Sequence, residues 1–150
     1  MTAAGALATQ VRMHVFTRAA DTGRVPQPAE IAEALGRPEP EIGEALRRLA
    51  VERVLILAPN DGQIWAANPF CAVPSGFRVE AGGAAYWGIC IWDSLGIPAA
   101  LGKDAVIQAP CGDCGDSMRL EVRGGRLTRS EGVLHFAVPA RRWWDNIAFT

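Results

Sequence analysis

The stretch Asn68 to Gly83, NPFCAVPSGFRVEAGG, places the strongest constraint on what this chain can fold into. Pro69 and Pro74 disfavour regular structure there, and Gly76, Gly82 and Gly83 add turns. It parts 150 residues into a half patterned for helices and a half patterned mainly for strands. A chain of that length buries one good core or two small ones. The expected division is a unit over residues 1–68 and another over residues 69–150.

In the first unit, Leu7, Val11, Val15 and Phe16 recur at helical spacing, in a segment that ends near Gly23. PQPAEIAEALG opens on prolines, runs as a short helix and stops at Gly36. A third helix follows, with Ile42, Ala45, Leu46 and Leu49 on one face. RVLILAP and QIWAAN then alternate about Asn60-Asp61-Gly62, a good hairpin turn. Helix, helix, turn, helix, hairpin is the order of a winged helix-turn-helix. Its recognition helix would be Glu41 to Arg53. That segment sets Glu41, Glu44 and Glu52 against Arg47, Arg48 and Arg53, a poor surface for phosphate. A packing domain of the same topology is the plainer reading, and DNA is not the expected partner.

The second unit reads as α+β. YWGICIWDSLGIPAALG, residues 86–102, reads as a buried helix ending around Leu95 or, kinked at Pro98, near Leu101. DAVIQAP, a hairpin about Gly124-Gly125, and GVLHFAVPA read as strands. The expected fold is α+β overall: a winged-helix-like helical unit packed on a small, mainly antiparallel sheet with one central helix.

The formal net charge of -1 argues against a strongly basic nucleic-acid surface. No apolar run approaches the roughly 18 residues of a membrane span. The first residues lack a basic region followed by a clean apolar stretch, so no signal peptide is expected and a cytoplasmic location is. In a reducing cytosol the four cysteines are thiols or metal ligands before they are disulfides.

Two clusters carry chemistry. Cys90 and Asp93 stand three apart and, on a helix, share a face. A thiolate is a soft nucleophile and metal ligand, and an apolar site keeps a carboxyl partly protonated. Such a pair can hold a soft electrophile through sulfur and hand it a proton. The plainer alternative is a buried cysteine beside a capping or solvated aspartate. The other cluster is APCGDCGDSM, where Cys111, Cys114 and Gly115 have the shape of one zinc knuckle. One knuckle is half a site. Only Cys71 and Cys90 remain to complete it, since His14 and His135 are single, so a structural zinc is the lesser expectation. In the tail, Arg141, Arg142, Trp143 and Trp144 form either an aromatic wall around a ligand or an amphipathic segment closing the core.

The ordered set NPFCAVPSGFRV, YWGICIWDSLGIPAALG, APCGDCGDSMRLEV and GVLHFAVPARRWWDNIAFT resembles the alkylmercury lyase (organomercurial lyase) family. The resemblance covers roughly residues 25 to 150, and its most specific piece is the C-x-x-D segment after an aromatic pair. It implies mercury detoxification by protonation of a carbon–mercury bond. Thiolates hold the metal, an aspartate transfers the proton, and low-molecular-weight thiol carries off Hg(II). It assigns Cys90 and Asp93 as catalytic and Cys111 as a structural cysteine near the site, while Cys114 falls where that loop varies. No resident cofactor is implied; Hg(II) is the product ligand. By register the family's second catalytic cysteine falls at or just past Thr150, and no residue from Trp143 to Thr150 is a cysteine. The sequence thus reads as lacking that cysteine and the family's C-terminal continuation.

The leading expectation is a lyase-type enzyme acting on an organomercurial. Cys90 and Asp93 do the chemistry, Trp87, Trp92, Trp143 and Trp144 wall the pocket, and Cys90, Cys111 and Cys114 are the candidate metal ligands. The alternatives are the same fold with altered chemistry or with binding of another small molecule or soft metal, and a winged-helix metal-responsive regulator. A homodimer is left open.

Overall fold

The computed structural model describes residues 3–130 and 132–147. Helices α1 (Ala3–Thr22), α2 (Pro28–Leu35) and α3 (Glu39–Val51) come first, where the apolar spacing places them. Ala8, Val11, Val15 and Ala19 form the buried stripe of α1, with Leu7 and Phe16 packed at its margin. Helix α2 starts on Pro28, and the Glu30 carboxylate accepts the Gln27 amide at 2.8 Å, closing its first turn. In α3, Ile42, Ala45, Leu46 and Leu49 are all buried, as their spacing requires.

Strands β1 (Ile56–Leu57) and β2 (Ile64–Ala67) form the expected hairpin. The Gln27 side chain ties it to the helices, donating to the Ile64 carbonyl at 3.1 Å and accepting its amide at 2.9 Å. Phe70–Cys71 adds a third antiparallel strand, β3, that the proline-rich reading of this stretch did not foresee.

The larger sheet holds β4 (Phe77–Ala81), β5 (Ala84–Gly88), β6 (Ala105–Pro110), β7 (Ser117–Arg123) and β8 (Arg126–Arg129). Its order is β5-β4-β6-β7-β8, antiparallel throughout. Helix α4 (Ile91–Leu101) packs on β4, β5 and β6. This α+β arrangement matches the expected class, with two corrections. Tyr86, Trp87 and Gly88 are strand, not helix. Gly82 and Gly83 both hold positive φ, +57° and +84°, so the chain turns sharply and β5 pairs back on β4. Among the described residues, 132–140 form no strand. Edge strand β8 is exposed along its length, and the chain leaves it to carry Phe136 back over α4. Residues Ala140–Asp145 close the described chain as a 3-10 helix.

Helices and both sheets share one apolar core. The Tyr86 hydroxyl donates to the Ala20 carbonyl at 2.7 Å, fastening β5 to the end of α1. Gly23 sits at that join with φ +74°, and a Cβ there would stand 2.0 Å from the Ala85 carbonyl oxygen. Both the conformation and the space exclude a side chain. Gly23→Ala should therefore cost about 2 kcal/mol or more. The measurement is denaturant unfolding, with a lowered midpoint and an unchanged slope expected.

Candidate active site

Strand β5 delivers the chain to the site and α4 receives it. Cys90 lies between them as the N-cap of α4, with extended φ −144° and ψ −178°. It is not inside a helix, as the spacing argument supposed. Asp93 occupies the third helical position, so C-x-x-D has the spacing of a capping box. Sulfur stands in for the usual hydroxyl. It faces the Asp93 and Trp92 amides, while the Asp93 carboxylate faces the Cys90 and Ile89 amides. The two side chains thus converge because both stand in the first turn of one helix, at its N-cap and third positions. The Cys90 thiol donates to Asp93 Oδ2 at 3.6 Å.

Ser94 holds this corner. It is fully buried, and both its Oγ (2.9 Å) and its amide (3.0 Å) donate to the Cys90 carbonyl. Gly88 leaves room for it: a Cβ there would approach Ser94 Oγ to 2.6 Å and its amide to 2.9 Å. Helix α4 continues through the buried Pro98 to Leu101.

Burial sets the electrostatics. It pushes the Cys90 thiol above its ordinary value; the helix amides pull the other way and are outweighed. Burial likewise raises Asp93, against the opposing pull of its contacts with Cys90 and Ile89. Cys71 is a second thiol that burial pushes above its ordinary value; its sulfur lies 3.7 Å from the Trp65 carbonyl.

Cys90 and Asp93 open on a cavity of about 420 Å³ walled by Trp92, Phe136, Trp143 and Trp144. The Phe136 ring packs 5.8 Å from Trp92 and 5.0 Å from Trp143, centroid to centroid. Trp143 Nε1 donates to the Val138 carbonyl at 2.8 Å. The Arg53 guanidinium lies 5.7 Å from the Trp144 ring centre, within cation–π range. So the tail is an aromatic wall, and no residue of its 3-10 helix is buried as a core-closing segment would be. Trp87 does not line this cavity. Strand alternation turns it to the opposite face from the buried Tyr86 and Gly88. Phe136 is the wall residue that sequence reasoning missed, because its segment reads locally as a strand.

Cys90 also borders a second cavity, of about 660 Å³, whose wall includes Cys111, Leu95, Met118 and His135. Cys111 and Cys114 lie on the tight connection between β6 and β7, where Gly115 donates to the Cys111 carbonyl at 3.0 Å. The Cys114 and Asp113 amides and the Cys114 thiol hold Cys111 below the usual thiol range. Cys114 is exposed and lines neither cavity. Among the described residues, no three His, Cys, Asp or Glu side chains gather into a metal-binding group. The four cysteines are thus not brought together as a knuckle pair would need. The register position of the family's second cysteine lies outside the described residues.

Residues 70–150 match the family model of alkylmercury lyase, MerB. The chain belongs to the alkylmercury lyase family. An alkylmercury lyase of Staphylococcus epidermidis is 30% identical over 107 residues, which are 71% of this chain and 47% of that protein. The chain thus spans about half the length of this curated relative. The crystal structure of the mercury-bound form of MerB2 superposes with a TM-score of 0.64 at 20% identity, over 81% of this chain and 58% of that one. That likeness establishes the shared fold. No helix among the described residues is long and apolar enough to cross a membrane.

Gly88→Ala should break the corner that this lyase-family fold uses to seat Cys90. A loss of about 1–3 kcal/mol is expected from forcing Ser94 aside. Faster alkylation of Cys90 should accompany the lower denaturation midpoint.

Proposed function

We propose that this protein cleaves a carbon–mercury bond by protonolysis, with Cys90 holding the metal and Asp93 moving the proton. The observation that carries the reading is the 3.6 Å Cys90–Asp93 contact at the mouth of an aromatic-walled cavity. Family membership and the name of the Staphylococcus epidermidis relative support the substrate class.

The chemistry follows from the two groups. A raised thiol pKa leaves Cys90 protonated at rest, so it needs a base when a mercurial arrives. The carboxylate in contact with it takes that proton as sulfur bonds to mercury. Asp93, lifted by burial, then holds the proton as an acid. Its delivery to carbon breaks the carbon–mercury bond. The bonding pair becomes the new C–H bond, and Hg(II) stays on Cys90. Trp92, Phe136, Trp143 and Trp144 give the organic group an apolar seat. Low-molecular-weight thiol outside the cavity would take up the ion, which suits a reducing cytoplasm.

The helical unit has a packing role in this reading. On α3, Arg47 pairs with Glu44 and Arg48 with Glu52, while Arg53 lies over Trp144. These contacts occupy the cations that a recognition helix would offer to phosphate.

The decisive experiment is benzene release from phenylmercury with excess thiol. Cys90→Ser should abolish capture of the mercurial in the cavity. Asp93→Asn should still capture the mercurial, but more slowly because the base beside Cys90 is gone, and lose about 10²-fold or more in release. Full turnover by either variant would overturn the roles assigned.

A pH test addresses the carboxyl separately. Because burial raises Asp93 in the folded state, its contribution to stability is fully present below the ordinary carboxyl pKa of 3.8 and is lost as pH rises through the higher folded value. Ionised Asp93 therefore weakens the fold near neutrality. Asp93→Asn should unfold at higher denaturant than the parent at neutral pH. That advantage should shrink to nothing as pH falls below the ordinary carboxyl value.

A further inference from the structure

We propose that Cys111 and Cys114 form a second soft-metal site, a dithiol that chelates Hg(II) passed from Cys90 through the cavity that Cys90 and Cys111 border. The source of the ion rests on the lyase reading above; the dithiol itself does not.

Four observations carry it. First, one ordered turn holds both cysteines: the Cys111 amide donates to the Asp116 carbonyl at 2.8 Å, and Gly115 donates back to the Cys111 carbonyl at 3.0 Å. That closed turn sets the two cysteines three residues apart on one short connection, the spacing of a C-x-x-C chelate. Second, neither thiol serves the core. Cys114 is exposed and Cys111 only partly covered, against the strong tendency of structural cysteines to be buried. Third, the ligand count selects the ion. Among the described residues no third His, Cys, Asp or Glu joins them, which leaves a zinc ion, with its four ligands, unsatisfied. A soft ion content with two thiolates is satisfied by this pair alone. Fourth, Cys90 and Cys111 lie in the wall of the same cavity of about 660 Å³, so an ion leaving Cys90 meets Cys111 without crossing the core.

The transfer is ligand exchange without redox change. After protonolysis Hg(II) is held by the Cys90 sulfur and one exogenous anion, a small thiolate or a halide. The Cys111 thiolate attacks mercury, and the exogenous anion leaves. The Cys114 thiol then gives its proton through water to the departing Cys90 sulfur and bonds to mercury in its place. One mercury–anion bond and one mercury–sulfur bond break, and two mercury–sulfur bonds form. Cys90 is regenerated as the thiol that the next cycle needs. Chelation by one turn drives the exchange, because both new ligands are already positioned.

Two experiments decide it. The first titrates Cys90→Ser protein with mercuric chloride, without free thiol. One equivalent should abolish the reactivity of both accessible thiols, and mass spectrometry should place mercury on the peptide carrying Cys111 and Cys114. Adding Cys114→Ser should weaken binding at least a hundredfold in competition with a thiol chelator. Unchanged affinity would overturn the dithiol. Circular dichroism of each variant checks the fold. The second experiment is a single turnover of phenylmercury by the parent protein, quenched with an alkylating agent. Mercury on the Cys111–Cys114 peptide with Cys90 alkylated is the expected result, and mercury retained on Cys90 would overturn the transfer. Absence of benzene would overturn the transfer and the lyase reading together, while the mercuric chloride titration would still judge the dithiol.

Discussion

The Cys90 carbonyl, gripped by both donors of buried Ser94, is the contact on which the site depends. It turns an edge strand into a helix within two residues. In doing so it leaves Cys90 at the helix N-terminus with its sulfur directed at Asp93. The grip is possible only because Gly88 presents no side chain to Ser94. A buried hydroxyl without partners would be costly, so Ser94 and the corner stabilise one another. Cys90 and Asp93 inherit their positions from that bargain between a small residue and a polar one.

The rest of the fold keeps the corner still and dry. Strand β5 is held from one side by β4 and from the other by α1, through the Tyr86 hydroxyl and the close pass at Gly23. Arg53 extends the same coupling to the far wall. It sits just past the end of α3 with φ +60°, in the left-handed position where glycine is usual. Its guanidinium reaches Trp144, so a residue of the helical unit braces the aromatic wall of the cavity. Burial lifts both Cys90 and Asp93 above their ordinary values, and it turns two common side chains into a thiol and an acid in contact.

The two thiol sites are electrostatic opposites for one physical reason. Cys90 has helix amides near its sulfur, yet desolvation outweighs them. At Cys111 the pull of the turn amides and of the Cys114 thiol outweighs both desolvation and the charge of Asp113. A soft ion would meet one half-buried sulfur beside an acid at the first site and two solvent-accessible sulfurs on one turn at the second.

Much of this was legible in the residues. The apolar spacing of Val11 and Val15, the Asn60-Asp61-Gly62 turn and the Gly124-Gly125 turn are local signals, and each is realised where it stands. Cys90 and Asp93 were legible as a pair, since three residues of separation bring them together in a helix or at its cap. The reason for their meeting was not, because Tyr86 to Gly88 suits a helix until Gly82 and Gly83 turn the chain back on β4. Sequence by itself determined helices α1 to α3, the β1–β2 and β7–β8 hairpins and the thiol–acid pair, since those rest on interactions among residues a few positions apart. Only the tertiary structure decided that Phe136 walls the cavity, that Trp87 does not, and that Cys111 shares a cavity with Cys90. Those outcomes depend on how distant segments pack, and no local spacing encodes which face a neighbour will cover.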